Sequence, residues 1–189
     1  EVGHLNIGAG YIVYQWITRI DLAIENGTFF ENPAFLRAID HAKTRGTALH
    51  LLGLIGNGGV HASQAHLLAL LRLARRQELD RVYIHAITDG RDTPPTSGVG
   101  FMRDLLAATR EIGCGTIASV SGRYYAMDRD RRWDRTKLAY DAIVEGRGVL
   151  RDDPIRAIER SYAEGVTDEF IIPSVITGPD SLPIAPIRD

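Results

Sequence analysis

A chain of 189 residues is long enough for one domain with a core of its own. Apolar residues at 44% and charged residues at 24% exclude bulk disorder, and a net charge of −2 argues against a general polyanion binder such as a nucleic-acid coat. The single cysteine, Cys114, excludes an intrachain disulfide scaffold and fits a reducing cytoplasm, and neither a membrane-length apolar run nor a secretory leader is visible.

The first 25 residues space Leu5, Ile7, Ile12, Val13, Ile17, Ile20 and Ile24 at rough helical intervals, interrupted by Gly8 and Gly10. Asn32-Pro33 supplies an N-cap and a first-turn proline for a helix to about Arg45, with Gly46 as its stop. The apolar run 48–55 has strand length and ends in Gly56-Asn57-Gly58-Gly59. Ser63 to Gln77 then sets Leu67, Leu70, Leu71 and Ala74 on one helical face, with Arg72, Arg75 and Arg76 facing away.

The alternation repeats. Arg81 to Ile87 reads as a strand, and a helix follows with Met102, Leu105 and Leu106 inward and Gly113 at its end. Gly115 to Val120 is a third strand, Asp128 to about Glu145 a helix, and Pro154 to Glu164 another. Residues 170–172 and 174–177 read as extended. Strands alternating with helices predict an α/β fold: three layers, doubly wound, a mainly parallel sheet with helices on both faces. The chain opens on Glu1 without methionine and closes on Ile184-Ala185-Pro186-Ile187-Arg188-Asp189, which reads as a piece of something longer.

In an open parallel sheet, ligands gather beyond the carboxyl ends of the strands. Three successive strands end in loops rich in glycine or charge: 56–61, 89–95 and 121–129. In the first, glycines let backbone N–H groups approach an anion, but their spacing is not that of a dinucleotide fingerprint. His61 is either a helix-start histidine or a ligand contact. In the second, Arg91 beside Asp92 before Pro94-Pro95 is either a stiff turn with a local ion pair or a rigid carboxylate able to exchange a hydroxyl proton.

In the third loop, helical spacing pairs Asp128 with Arg132 and Asp134 with Arg131. Asp128-x-Asp130 lacks the further ligands of a metal site. Arg123 sits at a strand end, where helical pairing does not account for it, and is a candidate clamp for a carboxylate or phosphate. Lysine occurs only at Lys43 and Lys137, so nearly all of the 22 basic residues are arginine, from genomic bias or because forked donors suit planar anions.

Together, the runs at 1–10 (Glu-Val-Gly-His-Leu-Asn-Ile-Gly-Ala-Gly), 58–61 (Gly-Gly-Val-His), 89–95 (Asp-Gly-Arg-Asp-Thr-Pro-Pro), 121–130 (Ser-Gly-Arg-Tyr-Tyr-Ala-Met-Asp-Arg-Asp) and 167–170 (Thr-Asp-Glu-Phe) resemble the cofactor-independent (2,3-bisphosphoglycerate-independent) phosphoglycerate mutases. The resemblance implies an isomerase of glycolysis that interconverts 3-phosphoglycerate and 2-phosphoglycerate through a phosphoserine, as an intramolecular phosphotransferase. It implies residues 1–20 as the end of a phosphatase-like metal domain with a hinge, and 21–189 as a phosphotransferase domain truncated at its C-terminal end.

By the same resemblance His61, Arg91, Asp92, Arg123 and Arg129 bind substrate, and Asp92, aligned by Arg91, handles hydroxyl protons as the catalytic residue. Two manganese ions are implied, with ligands outside this chain, and no 2,3-bisphosphoglycerate. The nucleophilic serine would stand just before Glu1, so the chain alone would be inactive. A monomeric, cytoplasmic enzyme is implied, with phosphoglycerates as partners and neither nucleic acid nor membrane. Gly56-Asn57 stands where the family usually has Ser-Asp, and Tyr11 where it usually has arginine. The other reading is a non-catalytic phosphate-binding α/β module.

Overall fold

The computed structural model describes residues 2–187. Glu1, which opens the first matched run, and Arg188 and Asp189, which close the second expected domain, lie outside the described residues. Helix α1 (Val2–Ala9) and helix α2 (Trp16–Glu25) come first, and Asp21 of α2 meets His66 at 2.7 Å. Helix α3 (Pro33–Arg45) starts and stops where its punctuation puts it. The Asn32 side chain accepts the Ala34 N–H at 2.9 Å, a cap typically contributing about 1 kcal/mol, and Gly46 closes the helix in the left-handed region at φ 62°.

Strand β1 (Leu49–Leu54), helix α4 (Gln64–Arg76), strand β2 (Val82–Thr88), helix α5 (Gly98–Ile112) and strand β3 (Thr116–Gly122) follow as two right-sized crossover units. A single turn of helix, α6 (Arg123–Ala126), continues directly from β3. Helix α7 (Trp133–Val144), strand β4 (Val149–Arg151), helix α8 (Pro154–Ala163), a 3₁₀ turn at Asp168–Phe170 and strand β5 (Ser174–Ile176) complete the domain. The sheet order is β1-β2-β3-β5-β4; β1, β2 and β3 run parallel, and β5 lies antiparallel to β3 and parallel to β4. The fold is α/β with a mostly parallel five-stranded sheet, as the alternating pattern implies.

Three local expectations change. The helix placed from Asp128 begins only at Trp133, because Arg131 takes a positive φ of 60° and the Asp128 carboxylate accepts the Arg132 N–H at 2.8 Å. The Asp128–Arg132 pairing along a helix face is therefore replaced by a turn. Residues 170–172, expected extended, form no strand, because Phe170 closes a 3₁₀ turn at Asp168–Phe170. Strand β4, three half-exposed residues, carries no pattern long enough to read in advance.

One face of the sheet buries Val82, Ile84, Ala86, Ile117 and Val120 against Leu71, Met102, Leu105 and Ile158 from α4, α5 and α8. Truncating a fully buried Leu71 or Leu105 to alanine would cost about 2–5 kcal/mol. Helix α7 packs over β3 and β5, burying Ala139, Ala142 and Ile143 outside that cluster. Among the described residues no helix is long and apolar enough to cross a membrane.

On the second face a polar chain crosses three strands. His50 Nδ1 lies 2.9 Å from His85 Nε2, and His85 Nδ1 lies 2.8 Å from Ser119 Oγ. Burial, with neighbouring His50, pushes the His85 pKa down to about 4. An unfolded histidine titrates near 6.5, so below that pH the unfolded chain takes up a proton that folded His85 refuses. The stability from neutral His85 is complete above about pH 6.5 and falls by roughly 3 kcal/mol as the pH drops to 4. Urea denaturation from pH 7 to 4 should show this slope, and His85→Gln should flatten most of it. An unchanged slope in that variant would place the acid sensitivity elsewhere.

Candidate functional site

The carboxyl ends of β1, β2 and β3 lie side by side, so the loops that follow them share one edge. The glycine loop after β1 packs directly on the loop after β2. A Cβ on Gly58 would stand 3.1 Å from the Asp92 carbonyl oxygen and 3.2 Å from the Asp92 Cβ. A side chain there would force the facing loop back by a few tenths of an ångström, so glycine suits this close approach. Gly56, at φ 136°, faces Phe101 and Thr93.

The loop after β2 is built around Asp89, a buried carboxylate at the strand's end. Its Oδ1 accepts the backbone N–H of Arg91 at 3.2 Å and of Asp92 at 3.1 Å, which turns the chain back on itself. The same oxygen accepts Arg123 Nη1 at 2.6 Å, and Asp92 Oδ2 accepts that nitrogen at 2.7 Å. One guanidinium nitrogen thus ties β3 to two carboxylates from the β2 loop. The side chains of Arg123, Asp89 and Asp92 are 10%, 6% and 22% exposed, so water screens this bridge little.

Burial disfavours the charge on Arg123, but hydrogen bonds and attraction from Asp92 and Asp89 outweigh it and hold its pKa above the ordinary value. Burial likewise disfavours ionised Asp89. The Asp92 N–H, the Arg123 guanidinium and the Arg91 N–H overcome that and hold the carboxyl below the usual range.

Around this bridge lies a cleft of about 280 Å³, lined by His61, Arg91, Arg123, Tyr124, Met127, Asp128, Arg129, Asp130, Arg135 and Glu169. His61, half exposed, sits with Nε2 3.8 Å from Asp92 Oδ2. Arg91 reaches Glu169 Oε1 at 3.8 Å, and Arg129 forms no ion pair among the described residues. A larger cavity of about 850 Å³, lined by Gly46, Arg81 and Tyr83, lies toward the opposite ends of β1 and β2, away from these loops.

The structure therefore brings His61, Arg91, Arg123 and Arg129 to the lining of one cleft, whereas Asp92 does not line it and meets it through Arg123 and His61. It differs from the sequence reading in one respect: Arg123, not the adjacent Arg91, holds the Asp92 carboxylate, because Arg91 turns toward Glu169. Three site residues escaped the sequence analysis. Asp89 stands inside a motif but reads there as part of the turn. Glu169 lies far along the chain. Arg135 looks like one helical charge among several, yet its guanidinium stacks 3.9 Å over the Tyr124 ring and meets Asp128 at 3.5 Å.

Two kinds of chemistry follow. Forked arginine donors converging beside strand ends bind carboxylates and phosphates, and a carboxylate with an imidazole nearby can relay a proton. Among the described residues no group of three or more His, Cys, Asp or Glu side chains could hold a metal ion. The resemblance places the ligands of its two manganese ions outside this chain.

The fold is an α/β domain with an arginine-lined cleft at the carboxyl ends of its parallel strands. Residues 20–189 match the family model described as BPG-independent PGAM N-terminus (iPGM_N), so the chain belongs to the BPG-independent phosphoglycerate mutase family. It is 64% identical over its whole length to the 2,3-bisphosphoglycerate-independent phosphoglycerate mutase of Thermomicrobium roseum, and 56% identical to that of Chloroflexus aggregans. It covers 36% and 35% of those proteins, so it spans about a third of the length of the curated relatives it matches. A crystal structure of Leishmania mexicana phosphoglycerate mutase at low cobalt concentration superposes with a TM-score of 0.88 at 29% identity, over 95% of this chain and 34% of that one.

The shared bridge makes a stability prediction. Arg123→Ala leaves a buried carboxylate without its cation, and the loss in urea denaturation should be about 3 kcal/mol. Adding Asp89→Asn should recover part of it, because the second change removes the stranded charge. Arg129→Ala should leave the midpoint nearly unchanged. Equal losses for Arg123→Ala and Arg129→Ala would contradict the bridge.

Proposed function

We propose that this chain forms the substrate-holding part of a mutase that interconverts 3-phosphoglycerate and 2-phosphoglycerate. The observation that carries this reading is the convergence of Arg91, Arg123, Arg129 and His61 on one cleft, with Asp92 held against Arg123 and 3.8 Å from His61. Residues 1–20 would serve as the link to a phosphatase-like domain, and 21–189 as most of the phosphotransferase domain. The relatives, themselves named phosphoglycerate mutases, support the substrate class.

In this reading Arg129 and Arg91 engage the anionic groups of the phosphoglycerate. Arg123 fixes the Asp92 carboxylate and adds donors of its own. His61 hydrogen-bonds the phosphate or a hydroxyl. Asp92 takes a proton from the substrate hydroxyl that is to be phosphorylated and returns one to the hydroxyl that has been released, so that neither step leaves an alkoxide in water. Phosphoryl transfer depends chiefly on positioning and charge neutralisation, which suits a pocket of fixed guanidinium groups. The phosphoserine and the manganese ions would belong to the rest of the enzyme, which we place in the cytoplasm and acting as a monomer.

Calorimetric titration of the 189-residue chain with 3-phosphoglycerate tests the reading directly. Arg129→Ala should weaken binding roughly ten- to a hundredfold, as expected for a charge-assisted contact, while exposed Arg132→Ala should not. In the whole enzyme, Asp92→Asn should lower turnover about a hundredfold or more with the substrate KM little changed. The chain alone should show no turnover. Absence of phosphoglycerate binding, or equal affinity in the Arg129 and Arg132 variants, would overturn the assignment.

A further inference from the structure

Asp168 has no part in the site as described, yet it is fully buried and lies between the elements that carry the site. Four hydrogen bonds meet at this one residue. Its carboxylate accepts the Gly98 N–H at 2.7 Å at the start of α5, and it also accepts the Tyr162 hydroxyl from α8. Its backbone N–H donates to the Pro95 carbonyl at 2.9 Å, and its carbonyl accepts the Thr88 hydroxyl at 2.7 Å. Thr88 and Pro95 bracket the loop that carries Asp89, Arg91 and Asp92.

The neighbours are shaped for this contact. A Cβ on Gly90 would stand 2.7 Å from the Glu169 nitrogen and 2.8 Å from the Asp168 Cβ, so the loop can close on the wedge only with glycine there. A Cβ on Gly98 would run into the Asp168 carboxylate itself. Gly122, the residue before Arg123, donates its N–H to Ile171 at 2.7 Å. The segment 168–171 therefore touches both the β2 loop and the end of β3. The next residue, Glu169, faces the Arg91 guanidinium in the cleft.

We propose that Asp168 is a positioning residue for the anion site, holding the 89–95 loop so that Arg91 faces the cleft and Asp92 meets Arg123. The inference rests on the reading of that cleft as a phosphoglycerate site and deepens it. The Asp168 backbone N–H and carbonyl hold the two ends of the loop, while its buried carboxylate anchors that backbone to the start of α5 and to the Tyr162 hydroxyl. A chain held at both ends loses little further freedom when a ligand orders its tip, so affinity gained at Arg91 depends on Asp168 without any contact between Asp168 and ligand.

The test uses the 189-residue chain, Asp168→Asn, and the milder Tyr162→Phe, which removes one donor to Asp168 and leaves the loop sequence intact. Each variant is titrated with 3-phosphoglycerate well below its melting temperature, alone and combined with Arg91→Ala or Arg129→Ala. Loss of affinity in Asp168→Asn should be about tenfold, non-additive with Arg91→Ala and additive with Arg129→Ala. General destabilisation would not distinguish the two arginines, so additivity with both overturns the proposal. If the unmodified chain does not bind 3-phosphoglycerate, the cleft reading fails, and amide exchange in ligand-free protein decides the positioning role. The Arg91 and Asp92 amides should exchange about tenfold faster in Tyr162→Phe or Asp168→Asn, with Ala139 and Ile143 unchanged. Unaltered loop protection overturns it.

Discussion

The site depends on a single guanidinium nitrogen shared by two carboxylates. Arg123 Nη1 reaches Asp89 and Asp92 at once, and the three groups come from the ends of neighbouring parallel strands. Nothing in a parallel ladder itself sets how far apart two strand-end loops lie, because backbone pairing stops at the last ladder residue. The bridge supplies that distance. It also accounts for the turn after β2, since the Asp89 oxygen that binds Arg123 also accepts the two amides that fold the loop back. An aspartate at that position is a turn-former and an anchor in one residue.

The glycines complete this arrangement from the outside. Gly58 lets the first loop rest on Asp92, and Gly90 lets the second rest on the 168–169 segment. The β1 loop, the β2 loop and the 168–169 segment therefore pack closely at these two glycines. With such packing the arginines and the histidine point from a common rigid base, which is the condition for several weak donors to act on one small anion together.

Much of this was legible in residue order. The helices with a cap and a stop, such as the one from Pro33 to Arg45, follow from local chemistry, and the three core strands follow from apolar runs bounded by glycine. Of the runs that carry the family resemblance, those at 58–61, 89–95, 121–130 and 167–170 supply lining of the candidate cleft, and the run at 1–10 supplies none. What escaped was long-range. Arg91 is adjacent to Asp92 in sequence and separate from it in function, because a pairing partner is chosen by the side-chain direction that the fold sets. Arg135 looked like one charge on a helical stripe, and only the turn at Arg131 brings it round to Tyr124. Strand β4, three residues long, owes its existence to the neighbour it pairs with.

The charges of the cleft have a consequence for how a ligand arrives. Its lining holds four arginines and three acidic residues, and the two aspartates beneath Arg123 carry the balance past zero to one net negative charge. The start of α5, otherwise a source of positive potential, faces the protein's own Asp168. A few ångströms outside the cleft these contributions largely cancel, so an approaching anion is not drawn in from a distance as it is by strongly basic pockets. Discrimination is left to contact range, where the planar forks of the arginines admit a carboxylate or phosphate of matching geometry. The rate of capture then varies little with ionic strength, and selectivity resides in how long the ligand stays.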